Sequence, residues 1–307
     1  MDIQTVCTFP AMSETMLQLP QGPVHVREEG QGPPIVFIHG LLADGRLWDD
    51  VVARLSPSAR CIVPDLPLGA HRTALKPDAD LTPYGLAKLI ADLLAALELH
   101  DVTLVANDTG GALSQILVTR HPDRIGRLVL TPCDSFENFL PAMLRPLQYV
   151  GGYVPGALAL IAQTMRSEAL AKSQLGFGPL AFSHRPELYV SWLEPARKDR
   201  GVRRDLAKIF RGIRPRYTLE AAERLPGFHK PALIAWADKD RFFPREHAER
   251  LAQLLPDARL EIIEGTRTFI PFDQPERLAR LVAEFAGSST SPPTPASASS
   301  KAPPVSR

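Results

Sequence analysis

Residues 33–40, PPIVFIHG, form a continuous apolar run that stops at His-Gly, and the chain repeats that unit of apolar run, small-residue turn and amphipathic stretch. A strand that is apolar on both sides must be covered on both faces, the condition of a parallel sheet. Helical spacing follows at Leu47, Val51, Val52 and Leu55, then the short run CIVPDLP, then an amphipathic stretch over 83–99. Thr82 stands where an N-cap belongs, and Pro83 suits a first helical turn. The run VTLVAN (102–107), a helix through 110–121 and RIGRLVLTP (124–132) continue the series. Such alternation predicts βαβ units with right-handed crossovers, hence an α/β fold with a mostly parallel central sheet flanked by helices.

The alternation breaks over 134–229, where the periodicity is helical and punctuated by Gly and Pro, and resumes with PALIAWADKD (231–240), a helix at 244–255, ARLEIIEG (258–265) and a helix at 275–286. The predicted organisation is a core of 14–133 and 230–286 carrying a helical cap over 134–229. Residues 1–13 are expected to be flexible and 287–307 disordered, because a Ser/Thr/Pro/Ala tail buries too little surface to offset its ordering entropy. In open parallel sheets ligands bind beyond the carboxyl ends of the strands, and an insertion after Pro132 would roof that edge.

Against 35 basic side chains stand 34 acidic ones, a net charge of +1, so the composition offers no footprint for nucleic acid or an anionic membrane and suits a small-molecule substrate. The amino terminus lacks a signal-peptide apolar region, and no run of apolar residues is long enough to span a bilayer, so a cytoplasmic location is expected. Three separated cysteines have no metal-ligand spacing, and no glycine-rich nucleotide motif follows the first strand; no cofactor or metal is expected. Nothing in the sequence sets an oligomeric state.

One turn is chemically specific. Ala106-Asn107-Asp108-Thr109-Gly110-Gly111 places a carboxylate between strand and helix with small neighbours on either side. The simple reading is an Asp that caps the following helix. The other is a strained turn that lifts its central side chain above the sheet, at the positive end of that helix. Three further stretches fall in order around it: VFIHGLLADGRLW (36–48), PDLPLGAH (64–71) and AWADKDRFFP (235–244). Together these resemble the α/β-hydrolase fold, in its aspartate-nucleophile branch of haloalkane and fluoroacetate dehalogenases and epoxide hydrolases. The resemblance covers roughly 14–286 and implies Asp108 as nucleophile, Asp240 as the supporting acid, His39 and Gly40 in the oxyanion loop, and the backbone N–H groups of Leu41 and Thr109 as oxyanion donors. It also implies Asp134, after the strand RLVL, as an alternative acid; the simpler role for Asp134 is to cap the first cap helix.

The pattern then departs from the family. Where the resemblance implies a catalytic histidine after the last strand, the chain reads EGTRTFIPFDQP (264–275) and has Thr268. A threonine hydroxyl cannot accept a proton near neutral pH, so the water-activating step of that family does not transfer directly. His184 in the cap and His71 after the next strand lead the short list of replacement bases. Carboxylates brought together without an imidazole would raise one another's pKa and could serve instead. Thr109 and Leu41 also stand where many dehalogenases have halide-binding Trp and Asn. Tyr149, Tyr153, Tyr189 and Trp192 are the candidate cap contacts to substrate.

Three functions stay open at this point. Asp108 forms an ester in hydrolysis of a carbon–halogen, epoxide or ester-like bond of a small apolar molecule, with a non-standard base. Alternatively it acts as a general base in a lyase, isomerase or cyclase, or the pocket binds a ligand without turnover.

Overall fold

The protein is described by a computed structural model over residues 12–287. Most of the two expected loose termini lies outside that range. At their inner ends, Ser13 opens the first strand and Gly287 closes the last helix.

Eight strands form one sheet: β1 (Ser13–Leu19), β2 (Gly22–Glu29), β3 (Pro34–Ile38), β4 (Arg60–Asp65), β5 (Val102–Asp108), β6 (Ile125–Cys133), β7 (Ala232–Ala237) and β8 (Ala258–Ile263), in the order β1-β2-β4-β3-β5-β6-β7-β8. From β4 through β8 all pairings are parallel, as the alternation predicts. The antiparallel β1–β2 pair at one edge was not legible, because β1 is exposed along most of its length and has no apolar signature. Such an edge strand is held by its ladder more than by burial.

Alternation along the central strands builds two cores. Val36, Ile38, Leu104 and Ala106 face one side, whereas Ile35, Phe37 and Val105 face the other. The helices α1 (Asp49–Leu55), α2 (Pro83–Ala96) and α3 (Thr109–Arg120) follow β3, β4 and β5. Thr82 caps α2 by accepting from the Gly85 N–H, with Pro83 in the first turn as expected.

Between β6 and β7 run seven helices: α4 (Arg145–Tyr153), α5 (Ala157–Thr164), α6 (Glu168–Ala171), α7 (Pro186–Trp192), α8 (Glu194–Lys198), α9 (Arg200–Gly212) and α10 (Pro215–Arg224). The last of these packs on α3 and also reaches α2, where the Tyr217 ring lies edge-on to Tyr84 at 4.6 Å. After β7 come α11 (Arg245–Leu254), α12 (Ile270–Asp273) and α13 (Pro275–Gly287). Val51 and Val52 of α1 share one core with Leu278 and Val282 of α13; Leu113 of α3 and Leu251 of α11 lie in the other. No helix among the described residues is long and apolar enough to cross a membrane.

An aromatic cluster seats the insertion. Phe177, Tyr189 and Trp192 from the insertion meet Phe269 and Phe272 beyond β8, with Trp192 stacked on Phe272 at 6.1 Å. The Trp192 indole N–H donates to Asp44 Oδ1 at 2.9 Å, tying α7 to the loop after β3. Replacement by phenylalanine keeps most of the apolar contact and removes only that bond to a carboxylate. Trp192→Phe is therefore expected to lower stability by about 1.5–3 kcal/mol, read from the urea midpoint at unchanged slope.

Candidate functional site

Strand β5 ends and α3 begins at Asp108, whose backbone sits at φ 54° and ψ −133°. Non-glycine residues avoid that region, so the surroundings must hold it there. Close approach explains the small neighbours. A Cβ on Gly40 would lie 2.3 Å from the Asp108 Cβ, one on Gly110 would lie 2.4 Å from the His39 carbonyl oxygen, and one on Gly111 would lie 2.2 Å from the Cys133 Cβ.

The two readings of the turn coincide on one atom. Asp108 Oδ1 accepts from the Thr109 N–H, as a helix cap does, and also from the Leu41 N–H at 3.2 Å. Both N–H groups inferred as oxyanion donors therefore converge on a single carboxylate oxygen. Burial pushes the Asp108 carboxyl up, while these two bonds pull it down. His39 anchors the loop that carries Leu41. Its Nε2 accepts from the Leu66 N–H at 2.9 Å, which leaves the proton on Nδ1 to donate to the Gly40 carbonyl, and burial lowers its pKa. It is a neutral structural imidazole.

Asp134 is fully buried just beyond β6 and caps no helix. Its Oδ2 accepts from the Thr109 hydroxyl at 2.9 Å, and its Oδ1 has no hydrogen-bond partner. Burial first, then the Asp108 charge, raises its pKa well above the usual carboxylate range. Both causes push this carboxyl toward its neutral, protonated form.

Asp240, beyond β7, accepts from the Phe242 and Phe243 N–H groups at 2.7 Å each through Oδ1. The Thr268 hydroxyl donates to its Oδ2 at 2.8 Å. Burial, with Asp108 adding to it, pushes Asp240 up to about 6. Its neighbour Asp238 is held low and is spent on the Thr266 N–H at 3.1 Å.

One residue of the site escaped the sequence reading as an individual. The buried Asn107 amide donates to the Thr131 hydroxyl at 2.9 Å, the Pro132 carbonyl at 3.1 Å and the Thr268 carbonyl at 2.8 Å. It fastens the elbow to the loop that carries Thr268. Asparagine beside an aspartate in a turn reads locally as turn chemistry, so only the packing of three segments reveals it.

Neither replacement histidine reaches the elbow in a bond. His184 lies exposed ahead of α7. His71 is buried, but its Nδ1 accepts from the Gly69 N–H at 3.3 Å and its Nε2 lies 3.4 Å from Asp205. Asp205 in turn holds the Leu75 N–H and Arg204, so His71 ties the loop after β4 to α9.

The four cap aromatics divide. Tyr149 and Tyr153 are 66% and 51% exposed on α4, their rings 5.4 Å apart and tilted by 34°, so the expectation that they face substrate fails on their position at the outer surface. Tyr189 and Trp192 are buried in the aromatic cluster, the Tyr189 hydroxyl without a partner. Two larger cavities, of about 540 Å³ beside Tyr84 and Arg120 and about 510 Å³ beside Phe242 and His247, include none of Asp108, Asp134 and Thr268. Among the described residues no group of three or more His, Cys, Asp or Glu is placed to hold a metal ion.

The raised Asp240 has a measurable consequence. A carboxyl at about 6 when folded, against an ordinary 3.8, binds its proton more tightly in the folded state, so its contribution to stability is full below pH 4 and is lost as pH rises through 6. Asparagine can accept from the Phe242 and Phe243 N–H groups without carrying charge. Asp240→Asn is expected to gain about 3 kcal/mol at pH 7 and less than about 1 kcal/mol at pH 4, measured by urea denaturation at both pH values.

A model of the alpha/beta hydrolase fold matches residues 33–275. Haloalkane dehalogenase 2 of Mycobacterium bovis is 26% identical over 279 residues, covering 87% of this chain and 92% of that protein. A cis-3-alkyl-4-alkyloxetan-2-one decarboxylase of Shewanella oneidensis is 27% identical over 281 residues, with 85% and 84% covered. Among solved structures, haloalkane dehalogenase DbeA from Bradyrhizobium elkani superposes with a TM-score of 0.73 at 19% identity, over 90% of this chain and 98% of that one. Epoxide hydrolase CorEH superposes with a TM-score of 0.73 at 17% identity, over 90% and 98%. The family model spans most of the chain and the strand order agrees with it, so the chain belongs to the α/β-hydrolase fold family; haloalkane dehalogenase 2 is similar to it in sequence and epoxide hydrolase CorEH in fold.

Proposed function

We propose that the protein is a hydrolase of small, largely apolar electrophiles in which Asp108 is the nucleophile and the Thr268–Asp240 pair replaces the imidazole. The observation that carries this reading is the Thr268 hydroxyl donating to Asp240 Oδ2 at 2.8 Å, with Asp240 raised to about 6. A carboxylate with that pKa is a usable general base at neutral pH, although weaker than a carboxylate–histidine pair.

In the first step Asp108 Oδ2 attacks a carbon bearing a halide or an epoxide oxygen. A carbon–oxygen bond forms as the carbon–halogen bond or one epoxide carbon–oxygen bond breaks, its electron pair going to the departing halide or to an alkoxide that stays attached to the ester. Oδ1 becomes the ester carbonyl oxygen and keeps the Leu41 and Thr109 N–H groups as its partners. In the second step water attacks the ester carbon. Its proton passes to the Thr268 oxygen as the Thr268 proton passes to Asp240, and the charge that develops on Oδ1 meets the same two donors. Collapse releases the alcohol, which takes the proton back from Asp240, and the second water proton, left on the new Asp108 carboxyl, passes to solvent or, for an epoxide, to the alkoxide formed in the first step, so that the Asp108 carboxylate is restored. Asp134, bound to the Thr109 side chain and pushed toward its neutral form by burial and by the Asp108 charge, limits the build-up of a second negative charge beside the elbow.

A second reading is a lyase, and two observations favour it: Thr268 in place of histidine, and the relative named as an oxetanone decarboxylase. Opening of a strained lactone at its alkyl carbon by Asp108 leaves a β-acyloxy carboxylate. Loss of carbon dioxide then sends its electron pair into a new double bond and expels Asp108, so no water is consumed.

Intact-protein mass after incubation with a bromoalkane, an epoxide and an activated ester tests the nucleophile. An adduct should accumulate on the wild type and be absent from Asp108→Asn. Thr268→His should shorten the adduct's lifetime by about 100-fold or more, and wild-type release should speed up as pH rises through 6, where Asp240 ionises. Oxygen-18 from solvent entering Asp108 on turnover marks hydrolysis, whereas turnover without it marks the lyase. Ligand binding with neither adduct nor turnover overturns both.

A further inference from the structure

The net charge of +1 conceals a segregation of charge. Residues 134–229 carry 14 Lys and Arg against 9 Asp and Glu, and within them residues 197–216 carry nine against two. That basic run is mostly α9 and the turn that follows it. Arg211 and Arg214 are exposed and Arg203 is half-buried. Their guanidinium groups hydrogen-bond to backbone carbonyls and to the Tyr153 hydroxyl, and among the described residues none of the three forms an ion pair with a carboxylate.

Beside this basic edge lies an unusual helix face. Tyr149, Val150, Tyr153 and Val154 recur at i, i+1, i+4 and i+5 along α4, 66%, 37%, 51% and 47% exposed, and Leu160 on α5 is 66% exposed. An amphipathic helix in a globular protein turns that face inward. Here the inward side of α4 is taken by Gly151, packed against Phe210 of α9, so the larger apolar residues are left outside. Two hydrogen bonds place the two features side by side: Arg211 donates to the Gly152 carbonyl at 2.6 Å, and Arg214 to the Tyr153 hydroxyl at 3.2 Å. A shallow groove of about 220 Å³ runs between them, with Tyr153, Val154 and Leu158 on one wall and Arg203 and Arg211 on the other.

We infer that this face of the insertion docks on an anionic lipid surface, with the tyrosines and aliphatic residues entering the headgroup region and the arginines pairing with lipid phosphates. Charge complementarity decides the occupant. A second copy meeting it about a two-fold axis would bring two basic edges together. Residues 288–307 cannot complement it either, since they carry Lys301 and Arg307 and no acidic side chain. Exposed apolar side chains flanked by uncompensated arginines match what holds an interfacial helix on a charged bilayer. Tyrosine suits that depth because its ring is apolar and its hydroxyl is wet. The inference does not depend on the chemistry assigned to Asp108.

Flotation of the full chain with phosphatidylcholine vesicles, and with vesicles that also contain phosphatidylglycerol, tests it. Binding is expected to the anionic vesicles only, and to weaken as salt is raised. Arg211→Gln and Arg214→Gln should each weaken it about fivefold. Tyr149→Ser with Tyr153→Ser should abolish insertion while leaving the circular dichroism spectrum intact, and Arg280→Gln, on α13, should change nothing. Absence of binding to anionic vesicles by the folded wild type overturns the inference. So does a concentration-dependent dimer in sedimentation that the tyrosine substitutions dissolve, which would assign the face to a second copy.

Discussion

The site is organised around a single oxygen. Asp108 Oδ1 sits between the Leu41 and Thr109 N–H groups, and those bonds hold a residue whose backbone would otherwise leave its strained conformation. Everything nearby is shaped by that demand. Gly40 must be small because the Asp108 side chain passes where a Cβ would stand, and the neutral His39 pins the loop so that the Leu41 N–H points inward. Under the proposed function, Oδ1 is held and the other oxygen is the one that attacks. Preorganised donors of this kind need not reorient as charge develops.

The second organising fact is electrostatic. Three carboxylates, Asp108, Asp134 and Asp240, influence one another across a water-poor interior without an imidazole between them. They cannot all be charged at low cost, and their environments sort them. Asp134 has one hydroxyl donor and, among the described residues, an orphan oxygen, so its surroundings favour the neutral form. Asp240 has two backbone donors and the Thr268 hydroxyl, enough to bring it within reach of neutral pH. Divergence of pKa values between neighbouring acids is how one site comes to hold both an acid and a base.

The insertion is bound to the core by aromatic packing and a few buried polar ties, Trp192 to Asp44 and His71 to Asp205. These ties draw off residues that sequence reasoning had assigned to chemistry. His71 binds a carboxylate of α9, and Trp192 serves the seam between insertion and core. The outer surface of the same insertion keeps an apolar strip beside arginines that, among the described residues, pair with no acid, the reverse of what a solvated helix face requires.

Local pattern was enough for much of this. Apolar runs ending in small residues, alternating with helical spacing, dictate a parallel sheet covered on both sides, because a strand apolar on both faces has no other stable setting. The spacing around Asp108 marked the elbow, and the residue at 268 marked the departure from the family, since both are statements about one short segment. The exposed β1 carried no such pattern and was missed. What tertiary structure alone decided is every relation between distant segments: Asn107 fastening the elbow to Thr268, Thr268 donating to Asp240, Asp134 turning toward Thr109, and Tyr149 and Tyr153 facing out while Tyr189 faces in. Periodicity records which side of an element is apolar, but hydrogen bonds and pKa shifts depend on distances between residues far apart in the chain, and those distances exist only once the layers have packed.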